Sequence, residues 1–183
     1  MDMGNSRLSG IREGLMLPEK HSSVINHNHN VCVENALRQA DAVTTRNGSR
    51  LTDLRRRVLE ILWRDHAAMK AYDILSLLEE TSGSAKPPTV YRALQFLLEN
   101  GLAHRLDTLN AYVGCSHPST RHIGQFFICT QCDRVSEFAL EPLNALVKQA
   151  ASTVEFHVHR QSLEVLGCCA ACFKTCSNDM ETQ

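Results

Sequence analysis

Apolar positions recur at helical spacing through the first part of the chain and alternate through much of the remainder. In "LTDLRRRVLEILWRD", Leu54, Val58, Ile61 and Leu62 fall on one helical face, Thr52 suits an N-cap, and Arg55 and Arg56 lie opposite. "AYDILSLLEE" aligns Ile74, Leu75 and Leu78 in the same way and is stopped by "TSGSAKPP". Pro87 and Pro88 then favour a new helix start, because proline is tolerated in the first turn. Val90, Leu94, Leu97 and Leu98 form the buried stripe of that helix, and Gly101 is placed to end it in a left-handed cap. Upstream, Val31 to Val43 predicts a short helix with Val33, Leu37 and Ala40 on one side. "LAHRLDTLNAYVGC" alternates, turns near "DTLN" and alternates again, as a β-hairpin does. Successive helices followed by a hairpin outline a winged helix-turn-helix, whose third helix enters the major groove while the wing lies beside the DNA backbone.

The second half has a different rhythm. "QFFICTQCDRVSEF" predicts a strand, a tight turn at two thiols, and a strand. "EPLNALVKQAAS" predicts a helix with Pro142 near its start and Leu143, Leu146, Val147 and Ala150 inward. "TVEFHVHRQSLEVLG" alternates as one strand running up to a second thiol pair. The expected class is α+β, an N-terminal winged helix-turn-helix followed by a small α/β domain. The expected boundaries are a disordered tail over 1–30, the winged helix over 31–115, a hinge over 116–123, the second domain over 124–176, and a tail over 177–183.

Charge divides along the same line. The chain carries a net charge of −1, but residues 46–70 hold seven basic against three acidic residues, and residues 129–183 four against seven. Any polyanion therefore docks on the first half. No stretch approaches a membrane span and no apolar run resembles a signal peptide, so the expected location is the cytoplasm. Eight cysteines in a reducing compartment point to metal or redox chemistry, away from structural disulfides. His27 and His29, among asparagines, read as part of a solvated tail.

Cys129 and Cys132 are two residues apart, and thirty-six residues later Cys169 and Cys172 repeat the spacing. Two such knuckles supply the four thiolates of a closed tetrahedral zinc site, which contributes folding energy. A thioredoxin-like dithiol would need alternating strand–helix units that this chain lacks. Cys168 offers another register without the two-residue spacer, Cys176 is a substitute or a bystander, and Cys32 reads as a small apolar residue. Four further ligand types surround the expected hinge: His104, Cys115, His122 and Glu137. Singly, each has an ordinary explanation as a surface histidine, a buried thiol, a loop residue or a solvated carboxylate.

"LTDLRRRVLEIL", "AYDILSLL", "KPPTVYRALQFLLENGLAHRLDTLNAYV" and "FFICTQCDRVSEF" with "CAAC" resemble the ferric uptake regulator superfamily, and its zinc uptake regulator branch most. The resemblance runs from about Asn35 to Cys172. It implies a homodimer paired through the second domain, acting on palindromic double-stranded operator DNA as a zinc-responsive repressor of zinc-uptake genes. Val154, Phe156 and Val158 with Leu143 and Leu146 are expected to supply apolar surface for that dimer, the alternative being that they fill one monomer's core. It implies two Zn2+ per monomer, one structural and one regulatory, the latter on His104, Cys115, His122 and Glu137. A thiolate in that set biases against Mg2+ and Mn2+. Regulators of iron in this superfamily carry a run rich in histidine and aspartate before the first thiol pair. Here "HIGQFFIC" keeps only His122 of it, which argues against iron and manganese sensing, and the alternative of a peroxide regulator also uses the missing residues. His117, His157 and His159 are candidates for an extra metal site, with His157 and His159 expected on one strand face. On the third helix Tyr91, Arg92 and Gln95 sit away from the apolar stripe. Arg92 suits bidentate purine reading, and the resemblance adds Tyr72 beside it. Arg55, Arg56, Arg57 and Lys86 are phosphate candidates. A dithiol oxidoreductase or zinc hydrolase would need a nucleophile–base pairing or an open three-ligand zinc motif, and the sequence displays neither.

Overall fold

The computed structural model describes residues 15–16, 29–64, 67–82, 86–120 and 122–173. A two-residue strand, β1 (Leu15–Met16), precedes four helices: α1 (His29–Arg46), α2 (Asp53–Arg64), α3 (Ala71–Ser82) and α4 (Pro87–Glu99). Their apolar stripes meet in one core, which contains Ala40 and Val43 from α1, Val58, Leu59 and Leu62 from α2, Ile74 and Leu78 from α3, and Val90, Leu94 and Leu97 from α4. The start of α4 is set by its two prolines after an extended Lys86. Its end is a Schellman motif. Gly101 at φ +66° donates to the Leu98 carbonyl at 3.0 Å, and Leu102 donates to that of Leu97 at 2.8 Å.

The hairpin follows as β2 (Ala103–Leu106) and β3 (Ala111–Gly114), paired His104 to Val113, with a turn closed by Asn110 at φ +48°. The second module is built from β4 (Gly124–Cys129), β5 (Val135–Leu140), α5 (Glu141–Thr153) and β6 (Ser162–Gly167). Its sheet order is β1-β5-β4-β6. β4 runs antiparallel to β5 and parallel to β6, a pairing made possible by the crossover through α5. Alternation along β4 sends Phe126 and Ile128 into a core shared with Leu106 and Val113 of the hairpin and Val135 of β5. Backbone bonds reinforce this contact, with Ala68 donating to the Asp133 carbonyl at 3.2 Å. No helix among the described residues is long and apolar enough to cross a membrane.

The structure differs from the sequence reading in several places. α1 begins at His29 and runs to Arg46, beyond the expected 31–43, and Leu15–Met16 lie against β5 within the stretch read as a tail. Residues 154–161 form no strand. The backbone turns after α5, with Glu155 at φ +54°, and Val154, Phe156 and Val158 are exposed without a ladder partner. On α5, Leu146 is 61% exposed and Ala150 is also exposed, so neither points inward within one chain. Asn144 is the buried residue there. Its Oδ1 accepts from Nε2 of the fully buried Gln125 at 2.8 Å, and Gln125 Oε1 accepts the Leu140 N–H at 3.0 Å. Alternating apolar patterns are blind to such a satisfied polar pair.

Candidate metal centre and DNA-facing surface

His104 on β2, Cys115 just past β3, His122 in the connecting segment and Glu137 on β5 converge. One ligand atom from each lies within 4.8 Å of all the others. Cys115 Sγ is 3.6 Å from His122 Nε2, and the two Nε2 atoms are 3.2 Å apart. Zinc bonds of ~2.0–2.1 Å to nitrogen and ~2.3 Å to sulfur imply tetrahedral edges of about 3.3 Å for N–N and about 3.6 Å for N–S. Those two edges match zinc. Glu137 Oε1 sits closer, at 2.5 Å from His122 Nε2 and 2.9 Å from His104 Nε2, as hydrogen-bonded partners do.

The supporting contacts aim the ligands. His122 Nδ1 donates to the Thr120 carbonyl at 2.8 Å, which turns Nε2 inward. The second oxygen of Glu137 accepts the Ser116 N–H at 2.7 Å. His104 packs edge-on to Phe126, with centroids 5.1 Å apart, and a Cβ on Gly124 would meet that phenyl ring at 2.7 Å and His104 Nδ1 at 3.3 Å. Glycine there lets the imidazole and the ring share the space.

Charge and proton affinity are coupled across the four groups. Burial works against a charge on His104, but hydrogen bonds with Cys115 and Glu137 outweigh it and raise its pKa to about 9. Hydrogen bonds with Cys115 and then Glu137 raise that of His122 to about 11 against a smaller burial penalty. Burial pushes Cys115 and Glu137 upward, yet hydrogen bonds from both imidazoles hold each below its ordinary value, Glu137 strongly so. The two imidazoles and the two acids thus favour one another's charged forms.

The second cluster is Cys129, Cys132, Cys169 and Cys172, also with ligand atoms within 4.8 Å of one another. Cys132 Sγ and Cys169 Sγ are 3.8 Å apart, and two thiolates on one zinc stand about 3.8 Å apart. The Cys169 N–H donates to Cys129 Sγ at 3.4 Å. Burial opposes the Cys129 thiolate, but N–H groups of Cys169, Gln131 and Cys132 bring its pKa down to about 6. Cys172 is pushed up to about 12 by hydrogen bonds with Cys169 and Cys132, the split expected when several thiols crowd one point. The cluster takes Cys169 and Cys172 and leaves out Cys168, so the 169/172 register is the one that forms the quartet. Cys176, His27 and the side chain of His29 lie outside the described residues. Cys32 is half-buried on α1.

His117, His157 and His159 are not brought together within one chain. Among the described residues only the two clusters above gather three or more ligand atoms. His157 and His159 lie in the irregular exposed segment, not on a strand face, while His117 stands 6.3 Å from His122, ring to ring.

On α4, Tyr91, Arg92 and Gln95 share the exposed face, and Tyr72 at the start of α3 is 72% exposed. Arg57 and Lys86 are exposed as well. Arg55 and Arg56 are already engaged. The Arg55 guanidinium lies 3.5 Å over the Phe96 ring and donates to the Arg50 carbonyl at 2.6 Å, while Arg56 grips both oxygens of Asp41 at 2.8 and 3.0 Å. The hairpin turn, expected beside the DNA backbone, is held by the second module: Glu164 accepts the N–H groups of Asp107 and Thr108. Sequence reading missed Glu164, because its importance depends on β6 lying parallel to β4.

The chain matches the ferric uptake regulator family over residues 46–166. It is 39% identical to the zinc uptake regulation protein of Escherichia coli (strain K12) over 137 residues, 74% of this chain and 80% of that protein. It resembles the solved zinc uptake regulator complexed with zinc and DNA at a TM-score of 0.75 and 37% identity, covering 78% of this chain and 96% of that one. The holo form of XcZur matches at a TM-score of 0.71 and 35% identity, over 76% and 98% of the two chains.

Proposed function

Because the chain belongs to the ferric uptake regulator family, we propose that it is a zinc-responsive repressor that binds operator DNA as a homodimer and governs zinc uptake. The observation that carries the zinc reading is the convergence of His104, Cys115, His122 and Glu137 from both sides of the connecting segment. Similarity to a zinc uptake regulator crystallised with zinc and DNA supports both the effector and the partner. The reading assigns two Zn2+ per monomer and places the protein in the cytoplasm, where its DNA is.

Bound at the four-residue centre, Zn2+ supplies a closed-shell Lewis acid that can hold two nitrogens, a sulfur and an oxygen at tetrahedral corners. His104 and Cys115 belong to the hairpin of the reader module, His122 to the connection, and Glu137 to the sheet. Fixing those four side chains to one point fixes the hairpin against the sheet and restricts the pose of α4. Tyr91, Arg92 and Gln95 then face DNA from a defined position, with Arg92 suited to guanine O6 and N7. Pairing through the α5 and β6 side of the sheet sets two such helices on a palindrome. The effector shifts the population towards the DNA-competent pose only as far as its preference for that pose allows. The sulfur quartet serves stability, stapling the β4–β5 turn to the end of β6.

Cys115→Ser tests this directly. The variant should stay folded and keep the zinc of the quartet, yet lose zinc-dependent operator binding in a gel shift across buffered zinc. Operator affinity that still climbs with zinc as in the parent would overturn the assignment. Repeating the titration with buffered Fe2+ and Mn2+ separates zinc from the other effectors of this family.

A further inference from the structure

Glu164 lies on β6, yet its carboxylate reaches across to the hairpin of the other module. One oxygen accepts the Asp107 N–H at 2.7 Å and the other accepts the Thr108 N–H at 2.9 Å. Arg160 adds a bond from its guanidinium to Asp107 at 2.9 Å. We propose that Glu164 is a positioning residue: it clasps the hairpin turn and holds the reader module in the pose that the four-residue centre requires. The inference rests on the reading of that centre as a zinc site between modules.

The two contacts on the turn differ in strength. Arg160 and Asp107 are both well exposed, and such pairs contribute little. A carboxylate taking two adjacent backbone N–H groups is charge-assisted and directional, and Glu164 is half-buried. The turn is shaped for it. Asn110 at φ +48° and its bond to the Asp107 carbonyl close the loop, which leaves the N–H groups of Asp107 and Thr108 pointing at β6. β6 is itself rigid. It pairs with β4 along six residues, the Thr130 N–H bonds the Gly167 carbonyl at 2.9 Å, and the sulfur quartet closes just beyond. A path therefore runs from the quartet through β6 and Glu164 to the hairpin that carries His104. A contact made only in the closed pose raises the fraction of molecules ready to bind zinc, and apparent affinity falls in proportion when that fraction falls.

The test uses the full-length dimer and reads zinc affinity at the four-residue centre by competition with a chromophoric chelator. Quartet occupancy is measured alongside as a control. Glu164→Ala leaves every ligand in place and should raise the Kd of the second zinc about 5–50-fold. Glu164→Gln, which keeps one accepting oxygen, should fall between parent and alanine. Asp107→Ala, which removes the two exposed pairs with Arg160 and Arg105 and leaves the backbone N–H in place, should change it less than about threefold. If Glu164→Ala loses quartet zinc, Thr108→Pro takes its place, since proline suits the second position of the turn and deletes one donor without touching β6. A second-zinc Kd unchanged from the parent in the variant that keeps its quartet overturns the clasp. Cys115→Ser losing its zinc response alongside that result leaves the proposed function standing, whereas a zinc response that survives Cys115→Ser removes the foundation of both.

Discussion

His104 and His122 set the pH behaviour of the regulatory centre. Both imidazoles are held protonated by the thiol and carboxylate beside them, with pKa values of about 9 and about 11, while Cys115 and Glu137 are each held below their ordinary values. A metal needs the imidazole lone pairs, so binding near pH 7.5 should release at least two protons, one from each ring. Zinc affinity should therefore rise steeply with pH up to about 9 and more gently above it. Calorimetry in buffers of different ionisation enthalpy counts those protons; release of none would contradict the coupled site. The same shifts carry a stability consequence for chelated protein. Raised histidines stabilise fully below their ordinary 6.5, and the contribution is lost as pH climbs through about 9 and then about 11. Glu137, held low, contributes above its ordinary 4.5 and loses that only as pH falls. The arginines separate in a second prediction. Arg92→Ala should cost about 1–3 kcal/mol of operator binding and relax base preference. Arg56→Ala should change operator affinity less, because its guanidinium is committed to Asp41. Fluorescence anisotropy on matched and mutated operators reads both.

At the level of elements, Gly114 and Trp63 form the tightest fit in the reader module. A Cβ on Gly114 would stand 2.4 Å from Trp63 Nε1, and the next residue, just past the end of β3, is Cys115 of the four-residue centre. Gly114→Ala must displace either the indole of α2 or the end of β3, at about 1–3 kcal/mol of stability. It should weaken zinc binding at the regulatory centre as well. Trp63 is the sole tryptophan, so its emission reports both effects in one denaturation and titration series. Helical periodicity gave the faces of α2, α3 and α4, because a helix stripe depends only on local spacing. The same reasoning failed at residues 154–161, where an alternating pattern has no strand to pair with. It failed again on α5, where Leu146 and Ala150 face outward and Asn144 is buried. In both places the apolar side chains stand exposed on the single chain.

Across the whole molecule, those exposed positions are the dimer surface we propose. Leu146, Val154, Phe156 and Leu166 of the second module are all at least half exposed, apolar side chains that a lone chain leaves in water. Phe156→Glu should shift the dimer towards monomer in sedimentation velocity and weaken operator binding, while leaving zinc content at the parent level. A dimer unaffected by the substitution would move the interface elsewhere. The contact between modules within one chain is already broad: a shared apolar core, a backbone bond from Ala68, the four-residue centre and the Glu164 clasp. On the proposed reading, zinc would act on modules with several contacts of their own, so its effect would be a bias on a pose.

The sequence alone determined the helices, the hairpin and the pairing of four thiols, because each depends on spacing within a few residues. It also supplied His104, Cys115, His122 and Glu137 as chemically suitable groups, though their joint role rested on resemblance, since residues thirty-odd positions apart carry no record of their separation in space. Only the tertiary structure decided that these four meet, that Arg55 and Arg56 are already bonded, that Gln125 and Asn144 satisfy each other inside, and that Glu164 reaches the hairpin turn. Each of those depends on which strand lies beside which. That ordering is a property of the packed chain as a whole, fixed by burial summed over many residues and legible in none of them singly.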